Sequence, residues 1–115
     1  MIQYIAALIS ILLGSFAQYF FKIGLNNVEV KTFSSIIKLL LNFNIIIGIA
    51  LYGISLLIWF YVLSLMELSK AYPLVSLGYV FTMIIAYLLL NEPITTFKVI
   101  GLLFIILGVI FISKS

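Results

Sequence analysis

Ser10, Gly14, Gln18 and Lys22 recur at every fourth position of the stretch SILLGSFAQYFFK and so share one helical face in an otherwise apolar segment. Such a face offers hydrogen bonds and one terminal positive charge. It holds no carboxylate, so nothing on it can exchange a proton for a cationic solute. An amide such as Gln18 costs several kcal/mol if left unpaired in hydrocarbon, so it must face protein, water or a solute.

Two further stripes have similar spacing. Gly48, Tyr52, Ser55 and Trp59 form one, and Tyr72, Ser76, Tyr79 and Met83 form the other. With Gln3, Ala7 and Ala17 added to the first face, three helices rich in small, hydroxyl and aromatic groups predict a shared polar cavity. Its candidate substrate contacts are Ser10, Gly14, Gln18, Lys22, Tyr52, Trp59, Tyr72, Ser76 and Tyr79. The plainer reading is that Ser and Gln bond between helices, for well under about 2 kcal/mol each, and that Tyr and Trp mark the membrane interfaces. For Tyr4, Tyr61 and Tyr87 the interfacial reading is adopted. Two readings of Lys22 stand side by side: a snorkelling anchor at the end of a span, or an attractor for an anion such as a phosphate at the cavity mouth.

The elements that carry these faces follow from composition. Of 115 residues, 66% are hydrophobic and 8% charged, with a mean hydropathy of +1.42. Soluble domains carry about 25% charged residues, so the sequence is that of an all-α integral membrane protein. Spans of about 20 apolar residues are placed at about 2–21, 45–65, 71–90 and 95–112, giving one domain over 1–115. Between the first two spans, Phe33, Ile36, Ile37, Leu40 and Leu41 fall opposite Ser34, Ser35, Lys38 and Asn42. That pattern predicts a short helix in the headgroup plane or an amphipathic start to span two. MELSKAYP and NEPIT read as tight turns. The N-terminus lacks the basic segment and cleavage site of a signal peptide and is expected to open the first span.

The ionisable inventory is six Lys and three Glu, with no Cys, His or Arg. It excludes thiolate and imidazole chemistry, assembles no nucleophile–base pair or metal-ligand cluster, and predicts no enzyme and no cofactor. The net charge of +3 is scattered between apolar runs, so no nucleic-acid partner is expected. Lys22, Lys31, Lys38 and Lys98 share one side of the membrane and Lys70 and Lys114 the other, a bias that leans toward termini outside and fixes no orientation.

A four-helix bundle is filled by its own side chains, so passage of a polar solute predicts a dimer, with a second copy or with a paralogue. Gly101 and Gly108, seven apart in the fourth span, are the candidate seam, since small residues let membrane helices approach closely. Against this stands the general frequency of glycine in membrane spans.

AYPLVSLGYV opening the third span, LLLNEPIT leading into the fourth and the two glycines within it resemble the small four-helix members of the drug/metabolite transporter superfamily, over essentially the whole chain. The sequence looks less like the small multidrug resistance exporters than like EamA-type proteins and the flippase subunits for undecaprenyl-phosphate-linked aminoarabinose. Gln18-x-x-x-Lys22, Ala71-Tyr72-Pro73 with Ser76-Leu77, and Glu92-Pro93 carry that likeness. The exporters' substrate-contacting tyrosine and following serine match Tyr72 and Ser76, their tryptophan falls on Val75, and their seam glycines match Gly101 and Gly108. Their proton-coupling glutamate falls on Gly14, and Glu29, Glu67 and Glu92 all lie in or beside loops. The resemblance therefore implies the scaffold and the seam without the coupling carboxylate. The expected function is flipping of a lipid-linked sugar or phosphate headgroup across a bacterial or archaeal cytoplasmic membrane, with a membrane lipid or lipid-linked substrate as ligand. An exporter of a small polar or cationic metabolite or drug, and a non-transporting membrane scaffold, are the alternatives.

Overall fold

A computed structural model describes residues 1–26 and 31–115; Glu29, expected in or beside a loop, lies outside the described residues. Four helices are long and apolar enough to cross a membrane: Ile2–Leu25, Phe43–Leu65, Leu68–Leu90 and Thr96–Ser113. The protein is an all-α, multi-pass membrane protein.

Helix α1 (Ile2–Leu25) ends where Asn26 turns extended, with ψ 135°. Helix α2 (Phe33–Leu39) is two turns long and buries none of its side chains. Its first turn is closed by Thr32, whose Oγ1 accepts from the Ser35 N–H at 3.3 Å. Helix α3 (Phe43–Leu65) starts behind Asn42. The Asn42 Oδ1 accepts from the Asn44 N–H at 2.9 Å, and its Nδ2 reaches the Gly24 carbonyl at 3.5 Å, tying the end of α1 to the start of α3.

The third span is broken. Helix α4 (Leu68–Leu74) passes through a 3-10 turn (Val75–Leu77) into α5 (Gly78–Leu90). Pro73 within α4 has no N–H to give the Ser69 carbonyl four residues back, so the span is also short of one hydrogen bond a turn before the 3-10 turn. The Ser76 hydroxyl satisfies the Pro73 carbonyl at 2.6 Å across the break. At the far end Asn91 adopts the left-handed conformation, φ 57°, and stops α5. The Glu92 N–H closes that turn on the Ala86 carbonyl at 3.1 Å. Helix α6 (Thr96–Ser113) begins at Thr95, whose Oγ1 accepts from the Lys98 N–H at 3.2 Å.

The bundle is closed at one end. Ala7 and Ile11 of α1, Val62 of α3, Ala71 and Leu74 of α4 and Val109 of α6 form the buried core. Around it α6 packs on α4 and the 3-10 turn, while α5 packs on α1. Toward the other end α1 and α3 remain packed together as far as Gly24 and Ile45. Within their hydrophobic windows the first two spans bury 28 and 22% of residues and the last two only 6% each, so all four leave most of their surface uncovered, the third and fourth the most.

Candidate functional site

The α1–α3 seam takes up the small residues of both faces. The buried Ser10 hydroxyl donates to the Ser55 backbone carbonyl at 2.7 Å. Gly14 lies opposite, where an added Cβ would sit 3.5 Å from the Ser55 Oγ. One turn further along, a Cβ on Gly48 would come within 2.6 Å of the Phe21 ring and 3.1 Å of the Ala17 carbonyl. Gly24 is closed by the Ile45 side chain, 2.7 Å from where its Cβ would be. These helices approach closely because a glycine on one receives the large side chain of the other, Gly48 the Phe21 ring and Gly24 the Ile45 side chain. Tyr52 borders the same seam, its ring 6.5 Å from that of Phe21.

Past this seam the polar stripe of α1 emerges. Gln18 and Lys22 are both exposed, and among the described residues neither side chain has a hydrogen-bond or ion-pair partner. At 1.5 Å per residue, Gln18 lies only about 10 Å from the end of α1, within reach of water and headgroups. Trp59 goes elsewhere and packs on the buried core. Tyr72 is 67% exposed at the surface of α4, and Ser76 spends its hydroxyl on the Pro73 carbonyl. Within one protomer the structure thus brings together Ser10, Gly14 and Tyr52 along the α1–α3 seam, and places Gln18, Lys22, Tyr72 and Trp59 at separate positions.

A groove of about 380 Å³ opens between α5 and α6. From α5 it is lined by Tyr79, Thr82, Met83 and Ala86, which are three or four residues apart and so share a face. From α6, Gly101, Leu102 and Ile105 form the opposite wall. Glu92, Phe97 and Lys98 stand at the loop end. The Thr82 hydroxyl is turned back onto the Gly78 carbonyl at 2.5 Å, which leaves the inner walls apolar. The Lys98 Nζ donates to the Pro93 carbonyl at 2.9 Å. The half-buried Glu92 carboxylate has no partner among the described residues. Of the two expected seam glycines, Gly101 lines this groove and Gly108 lies on the exposed surface of α6. An added Cβ would meet nothing within 4 Å at either position.

Sequence reasoning put Tyr79 and Met83 on one stripe but did not single out Thr82, Ala86 or Lys98 as groove residues. Ala17 to Gly24 and Gly48 to Ser55 are pairs of small residues seven apart on facing helices. That is the same signal read on Gly101 and Gly108, and it marks the α1–α3 crossing.

Residues 43–114 match the profile of the EamA-like transporter family. Over its whole length the chain is similar to a protein of Photorhabdus laumondii named "Probable 4-amino-4-deoxy-L-arabinose-phosphoundecaprenol flippase subunit ArnF", 38% identical over 96% of each chain. A protein of the same name from Proteus mirabilis is 36% identical over 97% of this chain and 92% of its own. The ArnE subunit named for the same flippase in an Enterobacter species is 34% identical over 60% of this chain and 64% of its own. No solved structure matches the chain.

Proposed function

The chain belongs to the EamA-like transporter family, and on that premise we propose that it is one subunit of a flippase for a polyprenyl phosphate carrying an amino sugar, working in a bacterial inner membrane. The observation that carries this reading is similarity over 96% of both chains to a subunit named for that lipid.

The distribution of charge supports it. Glu67 flanks α4 and Glu92 sits in the turn before α6, so no acidic side chain falls within the four spans. A lipophilic cation needs a counter-charge in the membrane. A sugar phosphate instead needs hydrogen bonds and a positive contact, and Gln18 followed one turn later by Lys22 offers both on an uncovered face. The prenyl tail stays in the bilayer while the head crosses. The chain acts by binding and orienting the headgroup, without a catalytic step.

The similar proteins carry two subunit names, ArnE and ArnF. This chain accordingly works with a second subunit, a paralogue or another copy, seated on the uncovered surface of the third and fourth spans. Gly108, on the exposed surface of α6 outside the groove, provides the close approach.

The test is transfer in liposomes of a fluorescent undecaprenyl-phosphate aminoarabinose, by the chain alone and with a paralogous subunit, with and without a pH gradient. Transfer independent of the gradient supports the reading. Gradient-driven movement of a quaternary ammonium cation would replace it with drug export, and inactivity in both preparations would leave a scaffold.

A further inference from the structure

The groove between α5 and α6 has a charged mouth that the α1 face does not account for. Its inner walls are apolar, and Gly101 leaves its floor clear, since a Cβ there would meet nothing within 4 Å. From Tyr79 to Ala86 it follows α5 for about 10 Å, and beyond that it opens at the turn through Glu92 and Pro93. In a bilayer hydrocarbon fills such a slot, so selectivity resides at its end. There the Glu92 carboxylate has no partner among the described residues. The Lys98 ammonium is held on the Pro93 carbonyl, with two of its three donors still to use.

We propose that this groove is the recognition site for an aminated polyprenyl-phosphate lipid, with Glu92 taking the headgroup amine, Lys98 the phosphate, and Met83, Gly101 and Ile105 the first isoprene units. This rests on the flippase reading and assigns its substrate a docking point distinct from Gln18 and Lys22. Charge complementarity selects the occupant. A phosphate lipid without an amine would leave Glu92 facing an anion, and a lipophilic cation would leave Lys98 unmatched. Pockets for small molecules run about 300–1,000 Å³. At about 380 Å³ the groove has room for a headgroup and the start of a chain, the remainder lying among bilayer lipids. Glu92 is also well held: the left-handed Asn91 ends α5 and the Glu92 N–H is tied to the Ala86 carbonyl.

The test is equilibrium binding to the full chain in phosphatidylglycerol nanodiscs, which supply no amine. The probes are a short-chain polyprenyl-phosphate aminoarabinose, its N-acetyl derivative and phosphatidylethanolamine. The aminated probe should bind at least about tenfold more tightly than the N-acetylated one, the scale of one charge-assisted hydrogen bond. Glu92→Gln should bring that ratio close to one, Glu92→Asp should restore part of it, and Gly101→Leu should weaken both probes together. A ratio that survives Glu92→Gln overturns the assignment. Phosphatidylethanolamine binding as tightly as the sugar lipid, with the same dependence on Glu92, overturns the amino-sugar occupant. Because binding is read without transport, selectivity with no transfer would sink the flippase reading alone, and transfer with no selectivity would sink this site alone.

Discussion

The hydroxyl of Ser10 and the backbone carbonyl of Ser55 meet at 2.7 Å inside the seam of α1 and α3. Hydrogen bonds between membrane helices average about 0.6 kcal/mol and reach about 1.7. Ser10→Ala should therefore cost no more than that in a reversible unfolding titration in mixed micelles. It should leave lipid transfer at the wild-type rate; a tenfold loss of transfer at unchanged stability would return Ser10 to the substrate path.

Gly48 and Gly53 make a matched pair on one helix. A Cβ at Gly48 would press on the Phe21 ring and the Ala17 carbonyl, whereas at Gly53 nothing lies within 4 Å. Gly48→Ala should destabilise the protein by about 1–3 kcal/mol, the usual cost of overpacking. Gly53→Ala should be neutral or slightly stabilising, since Gly is the poorer helix former by up to about 1 kcal/mol. The same unfolding titration, run on both variants, reads the contrast; equal effects would mean that α1 and α3 do not cross here.

Gln18 and Lys22 are exposed and support nothing in their own protomer. Each alanine variant should keep its unfolding midpoint, with stability within about 0.5 kcal/mol of the parent. Each should nevertheless lower headgroup transfer by about tenfold, the value of one hydrogen bond to a charged group. Raising salt should mimic Lys22→Ala more closely than Gln18→Ala, because screening acts on the charge. Wild-type transfer rates in both variants would remove the α1 face from the path.

Gly108 has open space around it in the protomer. Gly108→Leu should leave the fold intact and weaken association with the second subunit, followed by energy transfer between labelled chains in liposomes. Association that is unchanged would move the seam to another part of α6.

The all-α fold, the number of spans and the lack of an acidic group inside them are legible in the sequence, because a bilayer demands long apolar helices and penalises charge. Which faces meet is not. In a soluble helix the polar side points outward, but here lipid and protein are equally apolar, so the stripe through Ser10 and Gly14 reads as a cavity wall as readily as a contact with α3. Spacing shows that Ser10 and Gln18 are both on one broad side of α1. It does not show that Ser10 is buried against Ser55 while Gln18 passes beyond the edge of the crossing. The α5–α6 groove is less legible still, since it depends on how Asn91 and Pro93 set the angle between two helices that a hydropathy profile treats as neighbours.

The break at Val75–Leu77 divides the third span into two rods, one locked in the core through Ala71 and Leu74 and the other forming a groove wall. A tilt of about 10° at that joint, carried along the roughly 20 Å of α5, displaces its far end by about 3.5 Å. A tilt there would therefore change the gap at Glu92 from mid-membrane, through residues that do not line the groove.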